Sequence, residues 1–71
     1  MSDSVYRVTE IIGTSTESWE QAARNAVETA SGTVRDLRVA EVVKLDVTID
    51  DRKVSTFRTR LNISFKYERG E

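Results

Sequence analysis

The fold is decided by the stretch Val54–Tyr67, which reads VSTFRTRLNISFKY near the end of the 71-residue chain. Apolar and polar residues alternate along it. One side carries Phe57, Leu61, Ile63, Phe65 and Tyr67, and the other carries Arg58, Arg60, Asn62, Ser64 and Lys66. This period of two is typical of a long β-strand with one buried face. The stretch therefore predicts the central strand of a small sheet.

A second strand is predicted immediately before it. Val39–Ile49, VAEVVKLDVTI, is rich in β-branched residues, and a polar segment, Asp50–Lys53, separates it from the first stretch. Two strand patterns joined by a short polar segment predict a β-hairpin.

The first third of the chain predicts a strand and then a helix. Val5–Ile12 is rich in β-branched residues, which predicts a strand, and Gly13 follows it. We interpret Gly13 as a turn, and Thr14 and Glu17 as a capping box at the start of the helix. Phosphate binding by this hydroxyl-rich turn is the weaker alternative. From Thr16 to about Val34, apolar residues recur every three or four positions, which predicts an amphipathic helix. They are Trp19, Ala22, Ala23, Ala26, Val27, Ala30 and Val34.

The order strand, helix, strand, strand predicts one α+β domain over residues 1–71. A β-α-β crossover makes the first two strands parallel, and the hairpin makes the third antiparallel to both. With the third strand in the centre, the sheet is antiparallel in the order 1-3-2, and one amphipathic helix covers one face. Trp19 is expected to supply much of the buried area beneath that helix, rather than to stack on a planar ligand.

Composition excludes several classes of function. The chain has eleven basic and twelve acidic residues, and it has neither histidine nor cysteine. Disulfides, thiolate chemistry and imidazole ligands are therefore absent. The balanced charge predicts no nucleic-acid or membrane partner. No apolar run predicts a signal peptide or a membrane span, so the expected location is the cytoplasm. A core this small favours self-association.

Four features of the sequence, in their order along the chain, resemble those of the dodecins. They are Gly13-Thr14-Ser15 after a strand that begins Val5-Tyr6, a helix with Trp19 in its first turns, the block Ala40-Glu41-Val42, and Phe57–Tyr67 near the end of the chain. The resemblance runs from about Val5 to Glu68. It implies a β-α-β-β protomer in a hollow homododecamer that stores or sequesters a ligand without catalysis.

The resemblance also implies a ligand site, at Val39, Leu45 and Arg58, and this sequence departs from the flavin-binding pattern there. In flavin dodecins the position of Val39 is a tryptophan that stacks on the flavin ring, and the position of Arg58 is a glutamine. Valine has no ring, and a guanidinium has no hydrogen-bond acceptor. The flavin site is therefore predicted to be degenerate, although Arg58 suits an anionic ligand such as a nucleotide phosphate.

Divalent cations are the predicted substitute, because the family includes cation-associated members. Without histidine or cysteine, this chain can bind a metal only through oxygen, which suits calcium or magnesium. Asp50 and Asp51 in the hairpin turn are the candidate ligands, and a solvated acidic turn is the alternative. Two further functions stay open: a flavin- or nucleotide-sequestering dodecin, and a structural shell without a specific ligand. An enzyme is not expected, since no serine has a histidine to activate it.

The hairpin allows two registers. In the first register, Ile49 pairs with Val54 and Leu45 pairs with Arg58, so Leu45 lies on the face opposite the helix. A shift by one residue places Leu45 on the face beneath the helix. If Val39 and Arg58 enclose one ligand, as the resemblance implies, they share a face, which selects the first register. Val43, Leu45 and Val47 are then expected to be buried by other subunits.

Overall fold

The structure, a computed structural model, describes residues 5–66 and consists of three strands and one helix. These are β1 (Tyr6–Ser15), α1 (Trp19–Ser31), β2 (Leu37–Asp50) and β3 (Lys53–Lys66). β3 lies in the centre and pairs antiparallel with both neighbours, in the order β1-β3-β2. The predicted fold is thereby confirmed, while Tyr67, the last residue of the predicted strand, lies outside the described residues.

A small core forms where α1 crosses β1 and β3. Ala22 and Ala26 of the helix are buried, and Ala26 packs with the buried Leu61 and Ile63 of β3. Because alanine is small, the helix approaches the sheet closely. Thr59, 1% exposed, completes this layer, since its hydroxyl donates a hydrogen bond to the backbone oxygen of Trp19 at 2.8 Å.

Gly13 lies within β1 and does not form the predicted turn, because the strand continues to Ser15. A Cβ atom at Gly13 would overlap the carbonyl oxygen of Ala22 and would lie 2.8 Å from the Cβ of Ala26. Glycine is therefore required for close packing of the helix on the strand, and not for a change of chain direction.

The helix begins later than predicted. Ser18 is the N-cap, and its hydroxyl accepts a hydrogen bond from the backbone N–H of Gln21 at 2.9 Å. The predicted capping box of Thr14 and Glu17 is wrong, since Thr14 belongs to β1. Ser15 Oγ instead accepts a hydrogen bond from the N–H of Glu17 at 2.9 Å, which orders the connection to the helix.

Trp19 is less buried than the sequence suggested. Its side chain is 39% exposed and packs edge-to-face on Phe57, with ring centroids 5.2 Å apart. The indole Nε1–H donates a hydrogen bond to the backbone oxygen of Asp46 at 2.9 Å. Trp19 therefore joins the start of α1 to β2 at the rim of the core.

The hairpin turns at Asp51 and Arg52, which have positive φ angles of 51° and 66°. Positive φ at both central residues is the mark of a type I′ turn, whose twist matches that of the flanking strands. Ile49 lies opposite Val54, and this predicted pairing is confirmed.

The predicted pairing of Leu45 with Arg58 is wrong. Ser55 has no directly opposite residue on β2, so the register shifts by one beyond it. Leu45 consequently lies opposite Thr59, and Asp46 lies opposite Arg58.

A second bulge, at Val43, ends the shifted segment. Beyond it, Val39 lies opposite Ser64, on the same face as Arg58, as predicted. Between the two bulges, Leu45 and Val47 lie on the helix side of the sheet, contrary to the expectation that they point away from it. A register shift of one residue exchanges the two faces, which explains the reversal.

Candidate ligand-binding face

The side of the sheet opposite α1 is called the open face. Directly opposite residues of antiparallel strands project from the same face, so the open face consists of cross-strand rows. From one end to the other these are the valine row (Val8, Ser64, Val39), the acidic row (Glu10, Asn62, Glu41), the cationic row (Ile12, Arg60, Lys44) and the ion-pair row (Thr14, Arg58, Asp46).

The ion-pair row contains a bidentate contact between Arg58 and Asp46. Arg58 Nε donates to Asp46 Oδ1 at 2.7 Å, and Nη2 donates to Oδ2 at 2.8 Å. These hydrogen bonds hold the pKa of the Asp46 carboxylate below its usual value against the opposing effect of burial, and the charges of Arg58, Arg60 and Lys44 add to the lowering. The same hydrogen bonds raise the pKa of Arg58. Asp46 is thus a carboxylate beside three cations.

The acidic and cationic rows have no such internal pairing. Glu10 and Glu41 both lie opposite Asn62, and Lys44 lies opposite Arg60. Within residues 5–66, no hydrogen bond or ion pair joins any of these four charged side chains to another residue. Lys44 and Arg60 are thus like charges directly opposite each other on adjacent strands, an arrangement that is destabilising, whereas β3 separates Glu10 from Glu41.

Val39 and Arg58, the predicted ligand residues, share the open face but lie far apart. Val39 is 60% exposed and lies opposite Ser64, six positions along β3 from Arg58. At about 3.4 Å per residue, that separation is roughly 20 Å. A single chain therefore does not bring both residues around one ligand.

Leu45, the third predicted ligand residue, lies on the other face. It is 48% exposed on the helix side of β2, opposite Thr59. The structure does not bring Leu45 together with Val39 or Arg58.

Asp50 and Asp51, the predicted metal ligands, lie at the tip of the hairpin. Both are exposed, and Asp50 lies opposite Lys53 at the end of the ladder. The described part of the chain contains no group of three or more acidic side chains arranged to hold a metal ion. Metal binding by this turn stays a prediction.

Asp46 is the residue that the sequence analysis missed. In the predicted register it would lie opposite Phe57, which places an aspartate on the apolar face. An aspartate on the apolar face could have indicated a bulge between the hairpin turn and Arg58. A bulge shifts the register by one residue and moves Asp46 to the polar face of the sheet.

The chain shares its sequence pattern with dodecins. The dodecin family model matches residues 5–68. The calcium dodecin of Mycobacterium tuberculosis is 51% identical over 63 residues, which cover 89% of both chains.

Solved structures of dodecins also match this fold. Dodecin from Streptomyces coelicolor superposes with a TM-score of 0.91 at 41% identity, over 99% of this chain and all of the other. The crystal structure of calcium dodecin from M. tuberculosis, described as having a novel calcium-binding site, has a TM-score of 0.81 at 47% identity, over 94% of this chain and 96% of the other. Sequence, strand order and three-dimensional structure agree, and the chain belongs to the dodecin family.

Proposed function

We propose that this protein is a non-catalytic, homo-oligomeric binding or storage protein of the dodecin type that binds a divalent cation such as calcium in preference to flavin. Dodecins are non-enzymatic binding proteins whose typical assembly is a dodecamer. The observation that carries the proposal is the ion pair between Arg58 and Asp46, since it occupies a position where the family resemblance implies the flavin-binding glutamine.

The ion pair argues against flavin. Arg58 uses Nε and Nη2 to bind Asp46, so these two nitrogens are already engaged. A guanidinium offers no acceptor for the polar edge of a flavin, which both donates and accepts hydrogen bonds. Val39 offers no ring for stacking, a contribution of about 0.5–1.5 kcal/mol per aromatic pair.

The available ligand atoms suit calcium. With no histidine and no cysteine in the chain, the side-chain ligands for a metal are oxygens. Calcium takes about six to eight oxygen ligands, more than Asp50 and Asp51 of one chain supply. We therefore propose that any site at the hairpin turn is completed by backbone carbonyls, by water or by another copy of the chain.

Exposed apolar side chains support self-association. α1 covers β1 and β3, whereas β2 leaves large apolar residues in contact with solvent on both faces of the sheet. Those between 48% and 60% exposed are Val39, Val42, Val43 and Leu45. Large apolar side chains left exposed in this way support association with another copy of the chain.

Titration calorimetry with calcium chloride and, separately, with riboflavin tests the proposal on the assembled protein. We expect saturable heat with calcium and little or none with riboflavin. Asp50→Asn together with Asp51→Asn should weaken the calcium signal, while Glu28→Gln on the exposed side of α1 should leave it unchanged. Strong riboflavin binding without calcium binding would favour a flavin-sequestering protein, and no binding of either would favour a structural shell.

A further inference from the structure

A groove runs between α1 and β1 on the helix side of the sheet. Its floor consists of the small or aliphatic side chains of Ala26, Ala30 and Ile63, and its volume is about 750 Å³. Ligand pockets typically have volumes of about 300–1,000 Å³. Although 32% of the chain is charged, none of the described residues that line the groove carries a charge. The groove therefore suits an uncharged ligand.

One wall of the groove is the outer edge of β1. Ile12 and Thr14 line the groove, yet they lie opposite Arg60 and Arg58, on the open face of the sheet. Side chains on the open face project away from α1, because successive residues of a strand alternate between the two faces. It is therefore the backbone of Ile12 and Thr14 that borders the groove.

The Thr14 carbonyl shows in which direction these backbone groups point. Its oxygen accepts a hydrogen bond from Asn25 Nδ2 at 3.0 Å, and Asn25 belongs to the wall that α1 contributes. The carbonyl is thus directed away from β3. In an antiparallel strand the N–H and C=O of one residue point the same way, and the direction alternates from each residue to the next. Ile12, two positions earlier, therefore directs its own N–H and C=O towards the groove.

The outer edge of β1 is well formed for pairing with another strand. β1 stands at the end of the order β1-β3-β2, and in the described part of the chain no further strand lies beside it. β1 matches β3 residue for residue from Tyr6 to Ser15, whereas bulges interrupt the register between β2 and β3. Bulges protect a sheet edge from pairing. Of the two edges, β1 is therefore the one that accepts a further strand more readily.

We propose that the groove binds an extended peptide segment of another protein, with uncharged side chains, which adds to β1 as a fourth strand. The peptide backbone hydrogen-bonds to the N–H and C=O of Ile12, and every second side chain fills the space above Ala26 and Ala30. Six residues at about 3.4 Å each span about 20 Å, the length of β1 from Thr9 to Thr14 along the groove. The inference is independent of calcium binding.

Ile12→Pro tests the backbone pairing. Proline removes the N–H that points to the groove, so the variant keeps the hydrogen bonds to β3 and loses a donor to the peptide. The probe is an acetylated hexapeptide amide of alternating valine and threonine, titrated by calorimetry into the assembled protein. We expect saturable binding that Ile12→Pro weakens by about threefold or more. Ile11→Pro is the contrast, because it removes a donor to β3 and should lower the melting temperature more than Ile12→Pro does.

A second pair of variants tests the groove itself. Thr29→Phe places a ring in the groove and should abolish binding of the hexapeptide, because Thr29 is an exposed residue of its α1 wall. Ser31→Phe adds the same ring to an exposed position of α1 outside the groove and should leave binding unchanged. Circular dichroism checks that each variant keeps its fold.

Amide hydrogen exchange gives an independent readout that needs no variant. The Ile12 amide should exchange rapidly in the assembled protein and slowly once the hexapeptide is added. Absence of hexapeptide binding, or binding that Ile12→Pro leaves unchanged, would overturn the inference. An Ile12 amide that already exchanges slowly without peptide would show that a second copy covers this edge, and would overturn it too. The calcium titration is unaffected by these outcomes, so the proposed function is tested separately.

Discussion

Arg58 donates two parallel hydrogen bonds to Asp46, and this fork geometry orients both side chains more firmly than a single contact. The backbone of Asp46 is held as well, because its carbonyl oxygen accepts the hydrogen bond from the Trp19 indole. A ligand that needs the Arg58 side chain must first compete with a carboxylate. A guanidinium at this position thus differs from an amide in charge, in hydrogen bonding and in its access to a ligand.

Replacing both divergent residues should return flavin binding to the open face. In wild-type protein, titration should quench riboflavin fluorescence little, whereas Val39→Trp with Arg58→Gln should give clear quenching, because it restores a stacking ring and an amide. Leu45→Trp with Arg58→Gln is the matched control, since Leu45 lies on the other face and its ring cannot join the site. Equal quenching by the two double variants would show that the face assignment is wrong.

Among the elements, the contact between α1 and β1 depends on Gly13. The helix backbone passes so close to the strand that no side chain fits between them. Asn25 strengthens the contact, since its Nδ2 donates a hydrogen bond to the Thr14 carbonyl oxygen at 3.0 Å. Helix and strand therefore hold each other at this point through backbone proximity.

Gly13→Ala should destabilise the protein by about 1–3 kcal/mol, the usual cost of overpacking. Gly32→Ala provides the contrast, because Gly32 has a φ of −74° and a Cβ there would lie 3.4 Å from the nearest atom. That change should be neutral or stabilising, by up to about 1 kcal/mol. Urea unfolding of the two variants measures the difference, and equal stabilities would contradict the role given to Gly13.

The sequence predicted the elements well and the register poorly, for physical reasons. The period-2 pattern of β3 follows from the burial of one face of this strand. The strand itself, its central place in the sheet and the face that it buries could therefore be predicted. The bulges at Ser55 and Val43 carry no such pattern, because they depend on the local fit of two twisted strands. The Arg58–Asp46 pair depends on that register and was missed for this reason.

At the scale of the whole molecule, β2 exposes apolar side chains that one chain leaves in solvent and that the proposed assembly would bury. Leu45 is 48% exposed, whereas Leu61, on the same face of the sheet, is 2% exposed. A residue half in solvent contributes little to the fold of one chain, but it becomes buried wherever another copy covers β2. The fold of one chain and the proposed assembly are therefore expected to depend on different residues.

Leu45→Asp should therefore weaken the assembly while the protomer stays folded. An aspartate there costs several kcal/mol only if another copy removes it from water. Leu61→Asp should instead unfold the protomer, because that site is buried within one chain. Sedimentation and circular dichroism separate the two effects, and a Leu45→Asp protein that keeps its full mass would show that this part of β2 is not an interface.

Native mass spectrometry in the presence of calcium tests the central claim most directly, since it reports assembly and bound ligand in one spectrum. Twelve copies of the 8.1 kDa chain give a mass of about 97 kDa. We predict that species, with additional mass from bound calcium and none from added riboflavin. A spectrum dominated by the 8.1 kDa chain, or by an assembly that retains riboflavin and no calcium, would contradict the account.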